Sequence, residues 1–288
     1  MTTEPGATMS ETVRHVEQLV DETARTDVTE TFQEWRDLLS GLKSRIAERF
    51  DLTRDPSTDD LDSYGDPATG PSGSLAAYTG PEIDWLVHSW IGDPATGFVN
   101  LHLTVWLGPQ VRVPHLGIAL LLWPEGWFYV DAVPRGDLVG DGDYFDSYYA
   151  ENDAPWLAFK EEHPDFTWFT SRTGFIRGSL SPTAYCYSFP PHRANRETVA
   201  ALLGARVEQW LGWVDAAAPV PADEQAALAA RDLAVRRNIA ERDPANVMGE
   251  RMFGAELTQR LVRGLWGGDR VLPRPVAEAA SSIREARS

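Results

Sequence analysis

Apolar residues recur at helical spacing over the first fifty positions, alternate through the middle of the chain, and return to helical spacing towards its end. Ser10 is placed to cap a first helix, whose Val13, Val16, Leu19 and Val20 share one face. A second helix is predicted from about Asp27 to Phe50, with Phe32, Trp35, Leu38, Leu39, Leu42 and Ile46 on one stripe. Residues 51–80 collect Asp, Ser, Gly, Pro and Thr without a period, which predicts a long loop.

Four segments then read as strands: 83–91, 97–107, 113–123 and 126–133, each rich in β-branched and aromatic residues and bounded by Gly/Pro turns. Their spacers are too short for parallel crossovers, so an antiparallel meander is expected. Alternation puts Val99, Leu101, Leu103 and Val105 on one face, and Asn100, His102, Thr104 and Trp106 on the other. A short helical piece over 143–149 and a returning strand over 180–189 follow. Helices are expected over 195–216, 222–241, 254–263 and 275–286, separated by Pro219, Pro221, Pro244 and Pro273. Helices, a meander and helices again predict an α/β fold, a three-layer α/β/α sandwich with a central antiparallel sheet flanked by helices. No linker or repeat divides the chain. Residues 1–288 are expected to form one domain: helices over 1–50, a loop over 51–80, the sheet region over 81–190 and C-terminal helices over 194–288.

Composition narrows the functional classes. A formal charge of −17 opposes non-specific nucleic-acid binding. Residues 231–288 nevertheless carry 11 basic and 8 acidic side chains. That tail is either a docking patch for an acidic partner or a set of solvated helix faces. No apolar run approaches the roughly 20 residues of a membrane span. The polar N-terminus lacks a secretory pattern, and a cytoplasmic location is expected, with no membrane partner. The single cysteine, Cys186, excludes a disulfide framework and reads as a core thiol. Neither GxGxxG after a strand nor GxxxxGK[ST] is present, and no HExxH occurs.

Five short motifs carry a more specific signal. Ile83-Asp84-Trp85-Leu86-Val87-His88-Ser89-Trp90-Ile91 resembles the I-D-F-x-x-x-S-W-I strand of red chlorophyll catabolite reductase. In the same order, Asp131, Arg135, Asp137 and Leu138 resemble its D…R-x-D-L segment, and Asp143-Tyr144 with Tyr148-Tyr149 its D-Y-L-x-x-Y-Y helix. Ser181-Pro182-Thr183-Ala184 matches its S-P-T-A, and Arg251-Met252-Phe253-Gly254 its R-M-F-G. The resemblance covers about 81–263 and implies kinship with ferredoxin-dependent bilin reductases. An open-chain tetrapyrrole would lie between the sheet and the C-terminal helices. Electrons would come from a ferredoxin-type donor and protons from pocket carboxylates, without flavin or nicotinamide.

Departures from the family pattern matter as well. Where the family places its catalytic Glu, this chain has Ala119, which has no proton to give. The second catalytic carboxylate corresponds to Asp243, and the stereochemistry-setting position to Leu180. Alternation puts His115, Gly117 and Ala119 on one strand face over about 13 Å, a floor with two small residues. A macrocycle there would take an imidazole as axial ligand, and the strand histidines His115, His102 and His88 are the candidates, His115 first as metal ligand.

Three readings follow. In the first, haem is a cofactor held by His115, His102 or His88 over Gly117, Ala119 and Leu180, and it oxidises or hydroxylates an electron-rich aromatic, free or tethered. In the second, the protein reduces an open-chain bilin or red chlorophyll catabolite with ferredoxin electrons, no cofactor bound, and Asp243 as the surviving acid. The third is a non-catalytic haem or bilin carrier. Loss of the Glu places the haem oxidant first.

Overall fold

A computed structural model describes residues 26–68, 70–123 and 125–274, with the backbone of Val13–Arg14. The helix expected from Ser10 lies otherwise outside the described residues, as does the one over 275–286. Val13–Arg14 are extended and pair in parallel with Thr170–Ser171.

Helix α1 (Thr29–Arg49) forms where the apolar stripe predicts it and buries Phe32, Trp35, Leu39, Leu42 and Ile46. Strands β1 (Ser72–Thr79), β2 (Ile83–Asp93), β3 (Phe98–Leu107), β4 (His115–Leu122) and β5 (Gly126–Val133) follow as a continuous meander. Strand β6 (Tyr185–Phe189) returns antiparallel beside β5, and the two-residue strands Thr53–Arg54, Tyr64–Gly65 and Thr167–Trp168 finish the edges. All pairings in this sheet are antiparallel, as the short spacers require. The 51–80 loop proves shorter than expected, because its end is β1, zipped to β2 from Ser72↔Gly92 to Tyr78↔Leu86.

Helices α2 (Gly142–Tyr148), α3 (Asp153–Glu162) and α4 (Gly174–Ser179) lie between β5 and β6. Residues 180–184, expected as strand, form a turn, since Pro182 offers no ladder N–H and Ala184 instead donates to the Ser181 carbonyl. Helices α5 (Arg193–Ala216), α6 (Ala222–Glu241) and α7 (Asn246–Trp266) complete the chain.

The two sheet faces are covered by different helices. Leu116, Ile118, Leu120 and Leu122 share a core with α1 and with Val199, Leu203, Val207 and Trp210 of α5. On the opposite face Trp85, Val87 and Trp106 pack with Val235 and Ile239 of α6 and with Leu257 and Leu261 of α7. Each fully buried aliphatic or aromatic side chain contributes about 1.5–3 kcal/mol relative to exposure. The outcome is the expected sandwich.

Helix α7 is broken rather than continuous. Gly254 has φ 80° and ψ 166°, a conformation that favours glycine. A Cβ on Gly249 would lie 2.9 Å from Thr258 Cγ2, although nine residues of straight helix would separate the two by about 13 Å. The chain therefore folds back at Gly254, which ends one helix instead of opening the one expected from it.

Candidate functional site

Register places the site residues in rows across the sheet. His102 pairs with Ser89 and with Ala119, and Ala119 pairs with Tyr129, which pairs with Cys186. The next row runs Val87, Thr104, Gly117, Asp131. These residues share the face carrying α6 and α7, since β4 residues of the other parity fill the α1/α5 core. His102 and Tyr129 are only half-buried, yet burial alone lowers His102 to about 4. A side chain both accessible and strongly desolvated lies in a recess, and this imidazole is neutral at physiological pH.

Asp131 is the chemical centre of that recess. It is 1% exposed, and its Oδ2 accepts from the Ser181 N–H at 3.0 Å and from the Tyr129 hydroxyl at 3.3 Å. Oδ1 has no partner. Burial drives the carboxyl up to about 6 against the lowering effect of the Ser181 hydroxyl and N–H and of the Tyr129 hydroxyl. Buried polar atoms without partners also include Asn100 Oδ1 and Thr183 Oγ1. Native proteins satisfy most such groups, so a concentration of them marks a place for a polar ligand. Trp127 and Tyr129 stack at 6.5 Å and 10° along β5, and Phe169 meets Trp127 edge-on at 5.9 Å.

The three strand histidines do not form one set. His115 is 1% exposed, accepts the Leu107 N–H at its Nδ1 (3.0 Å), and places Nε2 3.3 Å from Asp232 Oδ1. Burial lowers it to about 4, so its proton sits on Nε2, facing Asp232. Nδ1 is thus taken by the backbone, and Nε2 faces the Asp232 carboxylate without a well-directed hydrogen bond, so the side chain expected as iron ligand is turned towards α6 and sealed from solvent. His88 pairs with Leu103 and therefore faces α1, away from the recess. Burial and the charges of Lys43 and Arg36 lower it to about 4. Of the three, His102 is the one that pairs with Ala119, while His115 shares the β4 face but is sealed against Trp106 and Asp232. Nor is the floor flat, because a Cβ on Gly117 would meet the Tyr129 ring at 3.0 Å. Among the described residues no group of three or more His, Cys, Asp or Glu is arranged to hold a metal ion.

The remaining motif residues hold the frame. Arg135 donates from Nε and Nη2 to Asp232 Oδ2 (3.0 and 2.7 Å), and to the Val111 and Gly108 carbonyls at 2.6 and 3.0 Å. It thereby ties the β3–β4 connection to α6. Burial pushes the Asp232 carboxyl up, but His115 and Arg135 outweigh it and hold it at about 2. Tyr144 accepts the Arg135 N–H, and Tyr149 donates to the Ala132 carbonyl. The Trp85 indole N–H bonds the Gly264 carbonyl at 3.0 Å, docking α7 on β2. Cys186 is buried and its thiol is pushed up to about 12, a core thiol as expected.

Leu180, half-buried, immediately precedes the Ser181 N–H that holds Asp131. Asp243 Oδ1 accepts the Ala245 N–H at 2.8 Å, and burial raises its carboxyl above the ordinary range. Its neighbour Arg242 lies 5.0 Å from the Phe175 ring on α4, the helix that leads into Leu180. The Asp243 turn thus sits beside α4; its side chain is tied into that turn. Sequence reasoning placed Asp131 in a family-like motif and left it, with Asp84, as either a buried hydrogen-bonded carboxylate or a pocket acid; it missed Tyr129. The signal was the parity that puts both opposite Gly117 and Ala119.

No helix among the described residues is long and apolar enough to cross a membrane. Among curated proteins none matches the chain in sequence. A solved structure of phytochromobilin synthase from tomato, in complex with biliverdin, superposes with a TM-score of 0.71 at 15% identity, covering 86% of this chain and 88% of that one. It shows the same fold. The profile of red chlorophyll catabolite reductase (RCC reductase) matches residues 34–266. The chain belongs to the red chlorophyll catabolite reductase family and is thereby a tetrapyrrole-related oxidoreductase.

Proposed function

We propose that this protein reduces an open-chain tetrapyrrole, of the bilin or red chlorophyll catabolite type, with electrons from a ferredoxin-type donor. The observation that carries the reading is Asp131, a buried carboxyl on the recess face with one oxygen anchored, the other unpartnered, and an affinity for protons raised to about 6. It supplies the acid that Ala119 lacks, one strand away on the same face. A bound apolar tetrapyrrole displaces water and favours the protonated form further. Reduction of one double bond takes two electrons and two protons. Asp131 gives one proton, and Asp243, its carboxyl also raised by burial, is the candidate source of the second. Neutral His102 and the stacked Trp127–Tyr129 pair line the recess, and Leu180 borders Asp131.

The haem oxidant does not fit these residues. His115 is sealed in the core with Nδ1 taken by the Leu107 N–H and Asp232 beside Nε2, His88 is on the far face, and the Tyr129 ring covers Gly117. The test is anaerobic incubation with biliverdin, reduced ferredoxin and a regenerating reductase, followed by absorption and mass spectrometry. A product heavier by two hydrogens supports the reading. Binding without turnover by the intact protein identifies a carrier instead.

A further inference from the structure

Asp131 is 1% exposed, so the recess meets it chiefly through the side chain that leans on it. That side chain is Tyr129, which is half-buried on the same face and donates its hydroxyl to Asp131 Oδ2 at 3.3 Å. Its ring lies over Gly117, where a Cβ would stand 3.2 Å from the hydroxyl oxygen. Ala119, directly across from Tyr129 in register, has only a methyl group. The two small residues of β4 leave room around the phenol that larger side chains would fill. On the other side Trp127 stacks on the ring at 6.5 Å and 10° and fixes its plane.

A phenol donates and accepts at one oxygen, and its hydrogen turns to suit its partners. While Asp131 is ionised, Tyr129 donates to Oδ2. Once Asp131 is protonated, the carboxyl can donate across the same contact to the phenol oxygen, and the phenol hydrogen is freed to point elsewhere. The other titratable groups around the pair keep one form near neutral pH. Burial pushes the Cys186 thiol on β6 up to about 12, and it also raises Tyr149, which is tied to the Ala132 carbonyl. His102, beyond Ala119, is neutral, and Arg206 of α5, whose charge acts on Asp131, is a cation. Burial and the neighbouring Asp131 raise Tyr129 itself well above its ordinary value, so it keeps its hydrogen. Asp131 is the member of this group that titrates near pH 6.

We propose that Tyr129 is a catalytic residue, the group that hands the proton to the bound open-chain tetrapyrrole, with Asp131 behind it as the source of that proton. This rests on the reading of the protein as a bilin-type reductase. As the pigment takes up electrons from the ferredoxin-type donor, the Tyr129 O–H bond breaks and its proton passes to the reduced pigment. The Asp131 O–H bond breaks in turn and re-forms the O–H of Tyr129. Asp131 is left as a carboxylate and recovers a proton from solvent before the next turnover. The relay delivers one of the two protons that the reduction consumes and leaves no charge on the phenol.

The test is single-turnover reduction by the intact protein, loaded with biliverdin and mixed with reduced ferredoxin in a series of H2O/D2O mixtures. Two protons moving together make the rate fall along a curve as the deuterium fraction rises; one proton passing directly from Asp131 gives a straight line. Wild type is expected to give the curve. Tyr129→Phe, which removes one oxygen and keeps the ring, should bind biliverdin with similar affinity, reduce it about 10²-fold more slowly, and give a straight line. Should Tyr129→Phe not fold, the wild-type curve decides alone. Reduction by Tyr129→Phe at the wild-type rate overturns the proposal while leaving the reductase reading standing. A wild-type rate that falls along a straight line, or not at all, also overturns it, and so does a curve that persists in Tyr129→Phe. Failure of wild type to reduce the pigment overturns both the proposal and the reading beneath it.

Discussion

The Tyr129 ring lies over Gly117, so that a Cβ at position 117 would stand 3.0 Å from Tyr129 Cε1 and 3.2 Å from its hydroxyl oxygen. The glycine makes room for the protein's own tyrosine, and the tyrosine in turn reaches Asp131. Gly117→Ala should push the ring by a few tenths of an ångström and lengthen that 3.3 Å hydrogen bond. We expect a loss of about 1–2 kcal/mol in stability and slower tetrapyrrole reduction. Urea unfolding and turnover measured together check this; if neither changes, the ring has space to spare and does not position Asp131.

Asp131 should also show itself in stability. Its carboxyl is raised from 3.8 to about 6, so the folded state holds the proton more tightly than the unfolded chain. Its contribution is full below about pH 4 and is lost as pH rises through about 6. Asn keeps an acceptor for the Ser181 N–H and carries no charge to bury. Between pH 4 and pH 8 Asp131→Asn should therefore gain about 3 kcal/mol relative to wild type. The buried histidines act in the opposite sense. His88, His102 and His115 are each lowered from 6.5 to about 4, so their contributions are full above about pH 6.5 and are lost as pH falls through about 4. Both proteins weaken in acid, and only the difference between them reports Asp131. A difference independent of pH would show that the carboxyl titrates normally.

His115→Ala removes the acceptor of the buried Leu107 N–H and the imidazole facing Asp232, and it opens a void beside Trp106. About 3–4 kcal/mol of destabilisation is expected. Because His115 is a framework residue, added haem should give the same absorption spectrum with the variant as with wild type. A change in a haem Soret band on losing this one imidazole would restore it as a ligand.

Much of the frame was legible because a period of two or of 3.6 is a local property. The stripe from Phe32 to Ile46 and the alternation from Val99 to Val105 each announce one element and its buried face. Strand β1 was hidden, since Ser-Gly-Ser-Leu-Ala-Ala-Tyr-Thr has few β-branched residues and becomes a strand through its pairing with β2. The histidines show the deeper limit. Alternation assigns faces within a strand, but which face of β2 joins which face of β3 depends on register, and β2 has an irregularity between Ile83 and Trp85. His88 therefore looked equivalent to His102 and is not. The Asp232 carboxylate beside His115 and the anchoring of Asp131 by Ser181 come from segments distant in the chain, where no local pattern reaches.

The central claim is that Asp131 protonates a bound open-chain tetrapyrrole, and the most direct test is a single-turnover comparison of wild type with Asp131→Asn. Both proteins are loaded with biliverdin anaerobically and mixed with excess reduced ferredoxin across pH 5 to 9. Wild type should reduce the pigment, more slowly as pH rises above the apparent pKa of the bound carboxyl, which lies at or above about 6. Asp131→Asn should bind the pigment with similar affinity yet reduce it about 10²–10⁴-fold more slowly, the usual contribution of a positioned proton donor. Reduction by Asp131→Asn at the wild-type rate, with the wild-type pH profile, would contradict the account.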